Sequence, residues 1–135
     1  MSQENVELVR REYVALSARD WEAIADVWHE DIELQTGDCA PGAPIYRGIG
    51  EITRYFDTWS EPFSEYRVDA DEIRDLGEQV VVLERYAGRG LKGAELGEWL
   101  ESTLARLITF RDGKIWRVKE YLTIEQALEA AGLRG

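Results

Sequence analysis

Hydrophobic residues in the first part of the chain recur at three- and four-residue steps, which is the spacing of amphipathic helices. The first stripe predicts a helix over residues 2–18 and consists of Val6, Val9, Tyr13 and Leu16. A second short helix, which Asp20 can cap, buries Trp21, Ile24, Val27 and Trp28. A strand over 31–36 and a Gly- and Pro-containing loop over 37–47 follow. A third helical stripe consists of Ile49, Ile52, Tyr55, Phe56, Trp59 and Phe63.

From residue 65 onward the hydrophobic period becomes two residues, which is typical of strands. It predicts strands over 66–73, 79–87 and about 98–110, with a turn at 75–78. A flexible connecting segment that contains four glycines is predicted over 88–97. A short terminal helix follows, because Thr123 and Gln126 match a capping box and Gly132 suits a left-handed stop. Helices grouped before antiparallel strands predict an α+β fold in which a curved sheet wraps around the helices.

The strongest turn signal is Asp112-Gly113, which predicts a hairpin between the last two strands. A three-residue loop over 111–113 pairs Phe110 with Lys114 and collects the large apolar residues on one face. That face consists of Leu104, Arg106, Ile108 and Phe110 with Trp116, Val118, Glu120 and Leu122. A two-residue loop would turn the second strand over and mix charges into both faces, so we expect the longer loop.

This arrangement leaves Arg106 and Glu120 as diagonal neighbours in an otherwise apolar wall. Charges there are costly to bury unless they are paired, hydrated or facing a cavity. The pattern predicts Glu120 as a catalytic base and Arg106 as the group that orients it or polarises a substrate oxygen. The alternatives are an ion pair that fixes the strand register and an arginine that only recognises a ligand. Glu84 and Arg85 are adjacent on the preceding strand, and either of them can face inward.

Aromatic residues on the predicted helices and hairpin suit a pocket for a small hydrophobic molecule. Its predicted walls are Trp28, Tyr55, Trp59 and Trp116, with Val118 beside them. The alternative for each aromatic residue is ordinary core filling. Tyr13 is either a hydrogen-bond donor into this pocket or a core residue with its hydroxyl at the edge. The opposite sheet face still carries Leu107, Ile115 and Tyr121, so we expect it to meet a second subunit in a homodimer.

Length, charge and cysteine content indicate the number of domains, the excluded classes of partner and the cellular compartment. The 135 residues predict one domain spanning 1–135, and the formal charge of −11 argues against nucleic-acid or anionic-membrane partners. A lone cysteine, Cys39, and the lack of a signal peptide or membrane-spanning stretch predict a soluble cytoplasmic protein. His29 is followed by Glu30 and Asp31, but adjacent residues cannot converge on one ion, so we expect a surface histidine and no metal site.

In this order, three segments resemble the nuclear transport factor 2-like superfamily, in its bacterial SnoaL-like branch. They are REYVALSARDWEAIADVWHEDIEL, YRGIGEITRYF and ITFRDGKIWRVKEYLTIEQALEAAGL. The resemblance implies a cone-shaped α+β barrel with a pocket between sheet and helices, usually in a homodimer. Relatives include ketosteroid isomerase, polyketide cyclases, epoxide hydrolases and dehydratases, which typically need no metal or organic cofactor.

The resemblance also assigns positions in the predicted pocket. Thr36 falls where the isomerase has its base, and Arg106 falls roughly where it keeps a protonated Asp. Tyr13 is one position away from the isomerase's oxyanion Tyr. Trp116, Val118 and Glu120 fall on the pocket side of the last strand, and Glu120 is near the acid/base Asp of the cyclases. The implied function is cofactor-free acid/base chemistry on a hydrophobic or aromatic compound; the alternative is a non-catalytic ligand-binding or dimeric accessory protein.

Overall fold

The computed structural model describes residues 2–91 and 97–132, and in this part of the chain four α-helices accompany one six-stranded sheet. The helices are α1 (Ser2–Ala18), α2 (Trp21–Val27), α3 (Ile49–Ser60) and α4 (Ile124–Ala130). The strands are β1 (Trp28–Gln35), β2 (Ile45–Arg47), β3 (Phe63–Asp75), β4 (Gln79–Leu91), β5 (Leu100–Arg111) and β6 (Lys114–Tyr121). The predicted α+β class with a curved, mostly antiparallel sheet is confirmed.

The order of strands across the sheet is β2-β1-β6-β5-β4-β3. Neighbouring strands are antiparallel except β1 and β6, which run parallel, with Leu34 opposite Val118. The sheet stays open between its edge strands β2 and β3. The single parallel pair therefore joins the helical half of the chain to its last hairpin.

Local hydrogen bonds account for several of the predicted boundaries. The Asp20 carboxylate accepts a hydrogen bond from the Ala23 amide at 3.1 Å and begins α2. The Thr123 hydroxyl accepts one from the Gln126 amide at 3.1 Å and begins α4. Phe63, expected on the third helical stripe, instead starts β3, because α3 ends at Ser60. None of the helices in the described ranges is long and apolar enough to cross a membrane.

The hairpin between β5 and β6 differs from its predicted form. Arg111 pairs with Lys114, so the loop has two residues, and both Asp112 (φ 53°) and Gly113 (φ 73°) are left-handed. This is the geometry of a tight turn that matches the twist of the strands, and it makes the expected three-residue loop wrong. Phe110 accordingly faces Ile115 rather than Lys114.

The two-residue turn alone would direct Val118 and Glu120 away from the helices. A bulge in β6 restores their predicted orientation. Trp116 is the extra residue between two consecutive pairs, Phe110 with Ile115 and Thr109 with Arg117. Beyond it, Val118 and Glu120 return to the side of the sheet that faces the helices. Ile115, not Trp116, occupies the inner core near the turn, and Leu122 lies exposed beyond the strand.

The sheet separates two hydrophobic clusters. The inner cluster lies between the sheet and α1–α3 and includes Val9, Ile24, Val27, Ile32, Val82 and Ile108. The outer cluster consists of Val81, Ala105, Leu107 and Ala127, and it is covered by α4. Part of the outer face that we expected to meet a second subunit is thus occupied by the chain's own helix. The homodimer stays a prediction.

Candidate functional site

A cavity of about 230 Å³ lies between the inner face of the sheet and helices α1 and α3. Its lining is mainly apolar and aromatic, and three charged side chains interrupt it: Glu84 from β4, Arg106 from β5 and Glu120 from β6. The predicted pair therefore lies in one cavity wall. Of the two adjacent residues Glu84 and Arg85, Glu84 faces the cavity. Arg85 donates hydrogen bonds to Asp71 and Glu101 on the opposite face of the sheet.

Strand register brings the three charges together. Arg106 lies directly opposite Glu120 on β6 and opposite Val82 on β4. Glu84 is two residues beyond Val82 and therefore points to the same face. The expected diagonal relation between Arg106 and Glu120 is wrong, because the two-residue turn and the bulge each shift the pairing by one position and together replace Val118 by Glu120 opposite Arg106.

The guanidinium of Arg106 is held by Glu12, a residue of α1 that sequence reasoning missed. Nη1 donates to Glu12 Oε1 and Nη2 donates to Glu12 Oε2, each at 2.8 Å. The indole of Trp28 donates to the same carboxylate at 2.7 Å. Glu12 is fully buried and Arg106 is 5% exposed. The bidentate geometry makes this a buried ion pair with most of its hydrogen-bonding capacity used.

Tyr13 connects this ion pair to the cavity wall. Its hydroxyl accepts a hydrogen bond from Arg106 Nη1 at 2.8 Å and donates one to Glu84 Oε1 at 2.8 Å. Tyr13 is buried and lies behind the wall rather than in it. Burial raises the pKa of its hydroxyl well above the usual value, so the phenol keeps its proton. Tyr13 therefore positions Glu84, whereas we expected it to donate into the pocket.

The two carboxyl groups in the wall have different surroundings. Burial raises the pKa of Glu84, but Arg106, 4.0 Å away, and the Tyr13 hydrogen bond oppose this shift. For Arg106, burial disfavours the charge, yet Glu12 and the other surrounding groups outweigh it and hold its pKa well above the usual value. Glu84 is thus the better stabilised of the two carboxylates.

Glu120 has no such support. Burial and then the nearby charge of Glu84 raise its pKa to about 8, and Arg106 offsets only part of this rise. In the described part of the chain, no group donates a hydrogen bond to its carboxyl group. At neutral pH the side chain therefore lies mostly protonated in the cavity wall, where it can give up a proton to a bound molecule.

The predicted aromatic wall is formed in part. Trp28, Tyr55, Trp59 and Val118 line the cavity as expected, together with the unpredicted Phe56 and Tyr86. The rings of Trp59 and Tyr86 meet edge to face, with centroids 5.5 Å apart.

Two predicted wall residues lie elsewhere. Trp116 is on the outer side, where Arg111 and Arg117 stack over its ring, because the two-residue turn places Ile115 on the inner face and so directs the next residue outward. Thr36 is fully buried, but its hydroxyl donates to the Pro44 carbonyl at 2.6 Å and does not reach the cavity. Its role is to hold the ends of the loop over 37–44 together.

The loop after β1 closes one side of the cavity. Its 3-10 turn, Gly37–Cys39, packs beside β6, and Gly37 (φ 52°) approaches the Glu120 backbone so closely that a Cβ would lie 3.3 Å from its carbonyl oxygen. Cys39 lines the cavity. Burial, then the charges of Glu120 and Asp38, raise the pKa of its thiol to about 11, so this cysteine is a poor nucleophile.

His29 is buried, which corrects the expected surface position. Its Nδ1 accepts a hydrogen bond from the Asp31 amide at 3.0 Å, and its Nε2 lies 3.2 Å from the Asp112 carboxylate in the hairpin turn. Within residues 2–91 and 97–132, no three His, Cys, Asp or Glu side chains are placed to hold a metal ion. His29 fixes the hairpin turn to the start of β1.

A signal for Glu12 exists in the sequence. Glu12 lies three residues after Val9 and four before Leu16, which puts a carboxylate on the buried stripe of α1. A charge at such a position needs a buried partner, and Arg106 is the arginine in the predicted wall.

Comparisons with known proteins agree with this fold. The family model of the SnoaL-like domain matches residues 9–118. An NTF2-like protein from Burkholderia xenovorans LB400 is 25% identical, with a TM-score of 0.70 over 97% of each chain. TerC, co-crystallised with polyporic acid, is 20% identical, with a TM-score of 0.72 over 96% of this chain and 99% of TerC. A putative SnoaL-like polyketide cyclase from Jannaschia sp. CCS1 is 18% identical, with a TM-score of 0.71 over 99% of this chain and 95% of the cyclase. A comparison with curated protein sequences gives no match.

Proposed function

The chain belongs to the family of SnoaL-like domains, and we propose that it binds a small hydrophobic compound and transfers protons on it without a cofactor. The observation that carries this proposal is Glu120, a carboxyl group in an aromatic cavity without a hydrogen-bond partner in the described ranges. Its proton is not engaged by any hydrogen-bond acceptor in that part of the chain, so it can pass directly to an atom of a bound molecule. A pKa of about 8 also keeps the acid and base forms within reach near neutral pH.

The two wall carboxyls take different roles in this mechanism. Glu120 is mostly protonated at pH 7 and acts as the acid, while Glu84, beside Arg106 and bonded by Tyr13, accepts a proton as the base. The role of base that the sequence suggested for Glu120 applies only above pH 8. Arg106 lies 4.0 Å from Glu84 and favours the ionised form of that carboxyl, and Glu12 keeps the guanidinium in place.

The reaction class that fits is isomerisation or ring closure through proton transfer next to a carbonyl group. Such reactions need one acid and one base around a dry pocket, and no group-transfer cofactor. The Jannaschia neighbour is named a putative polyketide cyclase, and TerC was crystallised with polyporic acid. Both names support a hydrophobic organic substrate for this cavity.

The second candidate is a ligand-binding protein without catalysis. The bidentate hydrogen bonds between Glu12 and Arg106 favour this candidate. Both terminal nitrogens of the guanidinium already have a partner within the protein, which is typical of a structural arginine. In that case Glu84 and Glu120 only orient the ligand.

Solvent-deuterium incorporation separates the two candidates. Cyclic aromatic ketones are incubated with the protein in D₂O, exchange at the carbon next to the carbonyl is followed by NMR, and binding is followed by tryptophan fluorescence. We expect Glu120→Gln to slow exchange by about 100-fold or more with binding retained. Glu101→Gln, on the outer face of β5, is the matched control and should exchange like the wild type.

Binding without exchange in the wild type would leave the second candidate. Exchange that is equally fast in Glu120→Gln would contradict the role of Glu120. The absence of both binding and exchange across the ketone panel would overturn the proposal.

A further inference from the structure

We propose that the natural ligand of the cavity is a hydrophobic amine in its protonated form. This inference rests on the binding part of the proposed function, since it names the chemical class that the same cavity accepts; with an amine bound, the ammonium group takes the place of Glu120 as the proton donor. Its basis is the arrangement of charges and aromatic side chains around the cavity.

Carboxyl groups outnumber guanidinium groups at this site. In the described part of the chain, Glu12, Glu84 and Glu120 surround the single guanidinium of Arg106. Glu12 already neutralises Arg106 through both terminal nitrogens. An anionic ligand would meet two further carboxyls without a free cation, whereas a cationic ligand would supply the charge that the cavity lacks.

The rest of the wall suits a cation with an apolar body. Tyr86 follows Glu84 by two residues on β4, so its ring lies on the same face as that carboxyl. Trp59 packs against Tyr86, and Tyr55 also lines the cavity. Aromatic faces attract ammonium groups most strongly where water is excluded. A carboxyl beside several rings is therefore matched to an ammonium ion.

The protonation of Glu120 gives the proposal a measurable consequence. The groups that face it are Glu84 on β4 and Arg106 on β5, with Cys39 and Tyr55 adding only neutral groups near pH 7 because their pKa values are about 11 and 12. While the cavity is empty, the Glu120 side chain is mostly protonated at pH 7. An ammonium ion nearby favours the ionised carboxylate, so its binding should displace that proton.

The charge of the whole chain acts in the same direction. A formal charge of −11 makes the protein attract cations from solution and repel anions. This long-range field gives an amine a faster approach to the cavity than a carboxylate of the same size.

Three probes with the same phenylethyl framework test the proposal: phenethylamine, 2-phenylethanol and phenylacetate, which are cationic, neutral and anionic at pH 7. Isothermal titration calorimetry in phosphate and in Tris gives both affinity and the number of protons exchanged. We expect the amine to bind about tenfold or more tightly than the alcohol, and phenylacetate to bind weakest. Amine binding should release close to one proton, and alcohol binding none.

Glu120→Gln provides the internal test. It should abolish proton release on amine binding and reduce the preference of the amine over the alcohol, while Glu101→Gln changes neither. Equal affinity for amine and alcohol in the wild type would overturn the amine proposal and leave the hydrophobic cavity of the proposed function intact. Preference for phenylacetate would overturn it in favour of an accessible Arg106. Failure of all three probes to bind would count against both proposals.

Discussion

Glu12 occupies a position on α1 that the helix pattern reserves for an apolar side chain, and its carboxylate is satisfied there by three side-chain hydrogen bonds. Two come from Arg106 and one from Trp28. An ion pair this deeply buried contributes little net stability compared with a well-packed apolar pair. Its effect is to hold Arg106 beside Glu84 in one orientation, which an apolar substitute would not do.

Removing the Glu12 charge should be strongly destabilising. In Glu12→Gln the guanidinium of Arg106 stays buried without its bidentate partner, so we expect a loss of about 3 kcal/mol in the free energy of unfolding. Urea denaturation followed by circular dichroism measures it. Glu7→Gln is the control on the same helix, because Glu7 is 64% exposed and forms an ion pair with Arg10 across one turn at the surface. A loss in Glu12→Gln as small as in the control would contradict this account of the ion pair.

Glu120 makes stability depend on pH. In the folded chain its pKa is about 8, above the ordinary value of 4.5 expected when the chain is unfolded. The stability that this raised pKa provides is complete below pH 4.5 and is lost as pH rises through 8, by up to about 1.4 kcal/mol per pH unit. Glu120→Gln removes the titration.

We therefore expect the unfolding free energy of Glu120→Gln to rise relative to wild type between about pH 5 and 8 and to level off above that range. Chemical denaturation of both proteins at one-unit pH steps gives the difference curve. A flat curve for Glu120→Gln would mean that the carboxyl ionises normally in the folded state.

At the residue scale, the sequence predicted two of the charges at the site but not the groups that pair with them. Arg106 and Glu120 stand out because each interrupts an apolar strand face. Glu12 and Glu84 are equally important in the structure. Glu84 sits beside Arg85, and alternation alone cannot decide which of two adjacent charges faces inward. That decision came from Asp71 and Glu101, which pair with Arg85 across neighbouring strands.

At the element scale, the hairpin shows how two local features can cancel. The two-residue turn reverses the facing of β6, and the bulge at Trp116 reverses it again, so Val118 and Glu120 still face the helices. Sequence alternation assumes regular strands, and a bulge is invisible to it. The prediction thus placed Val118 and Glu120 correctly and Trp116 wrongly, since the turn reverses the facing of Trp116 and the bulge restores the predicted facing only beyond it.

Deleting Trp116 should remove the bulge and preserve the rest of β6. Ile115 and Arg117 then follow each other as regular neighbours, and every pair beyond them keeps its present partner. Deleting Lys119 instead moves Glu120 to the outer face. Two-dimensional NMR spectra should show the native pattern for residues 118–121 in the first deletion only. Equal disruption by the two deletions would contradict the role assigned to the bulge.

At the scale of the whole molecule, the sheet separates two hydrophobic clusters, one on each of its faces. Leu107 and Ile108 are neighbours on β5, yet Leu107 belongs to the outer cluster under α4 and Ile108 to the inner cluster beneath α1–α3. The alternation predicted both faces as apolar. It did not predict that α4 covers the outer one, because a short helix at the end of a chain can fold back onto either side.

Truncating either residue should loosen only its own side. Leu107→Ala and Ile108→Ala should each cost about 2–4 kcal/mol of unfolding free energy. Hydrogen exchange should then separate them: faster exchange in α4 for Leu107→Ala, and faster exchange in α1 for Ile108→Ala. Equal acceleration of both helices in both variants would mean that the two clusters act as one core.

The parallel pairing of β1 with β6 has a consequence for how the chain folds. Arg106 follows Glu12 by 94 positions in the sequence, and β1 finds its parallel neighbour β6 only when the last hairpin exists. Contacts this distant in sequence slow folding, because the chain must lose the entropy of closing the intervening loop before the contacts stabilise it. During synthesis, α1 leaves the ribosome with an uncompensated carboxylate on its apolar face. It keeps that mismatch until β5, which carries Arg106, has emerged.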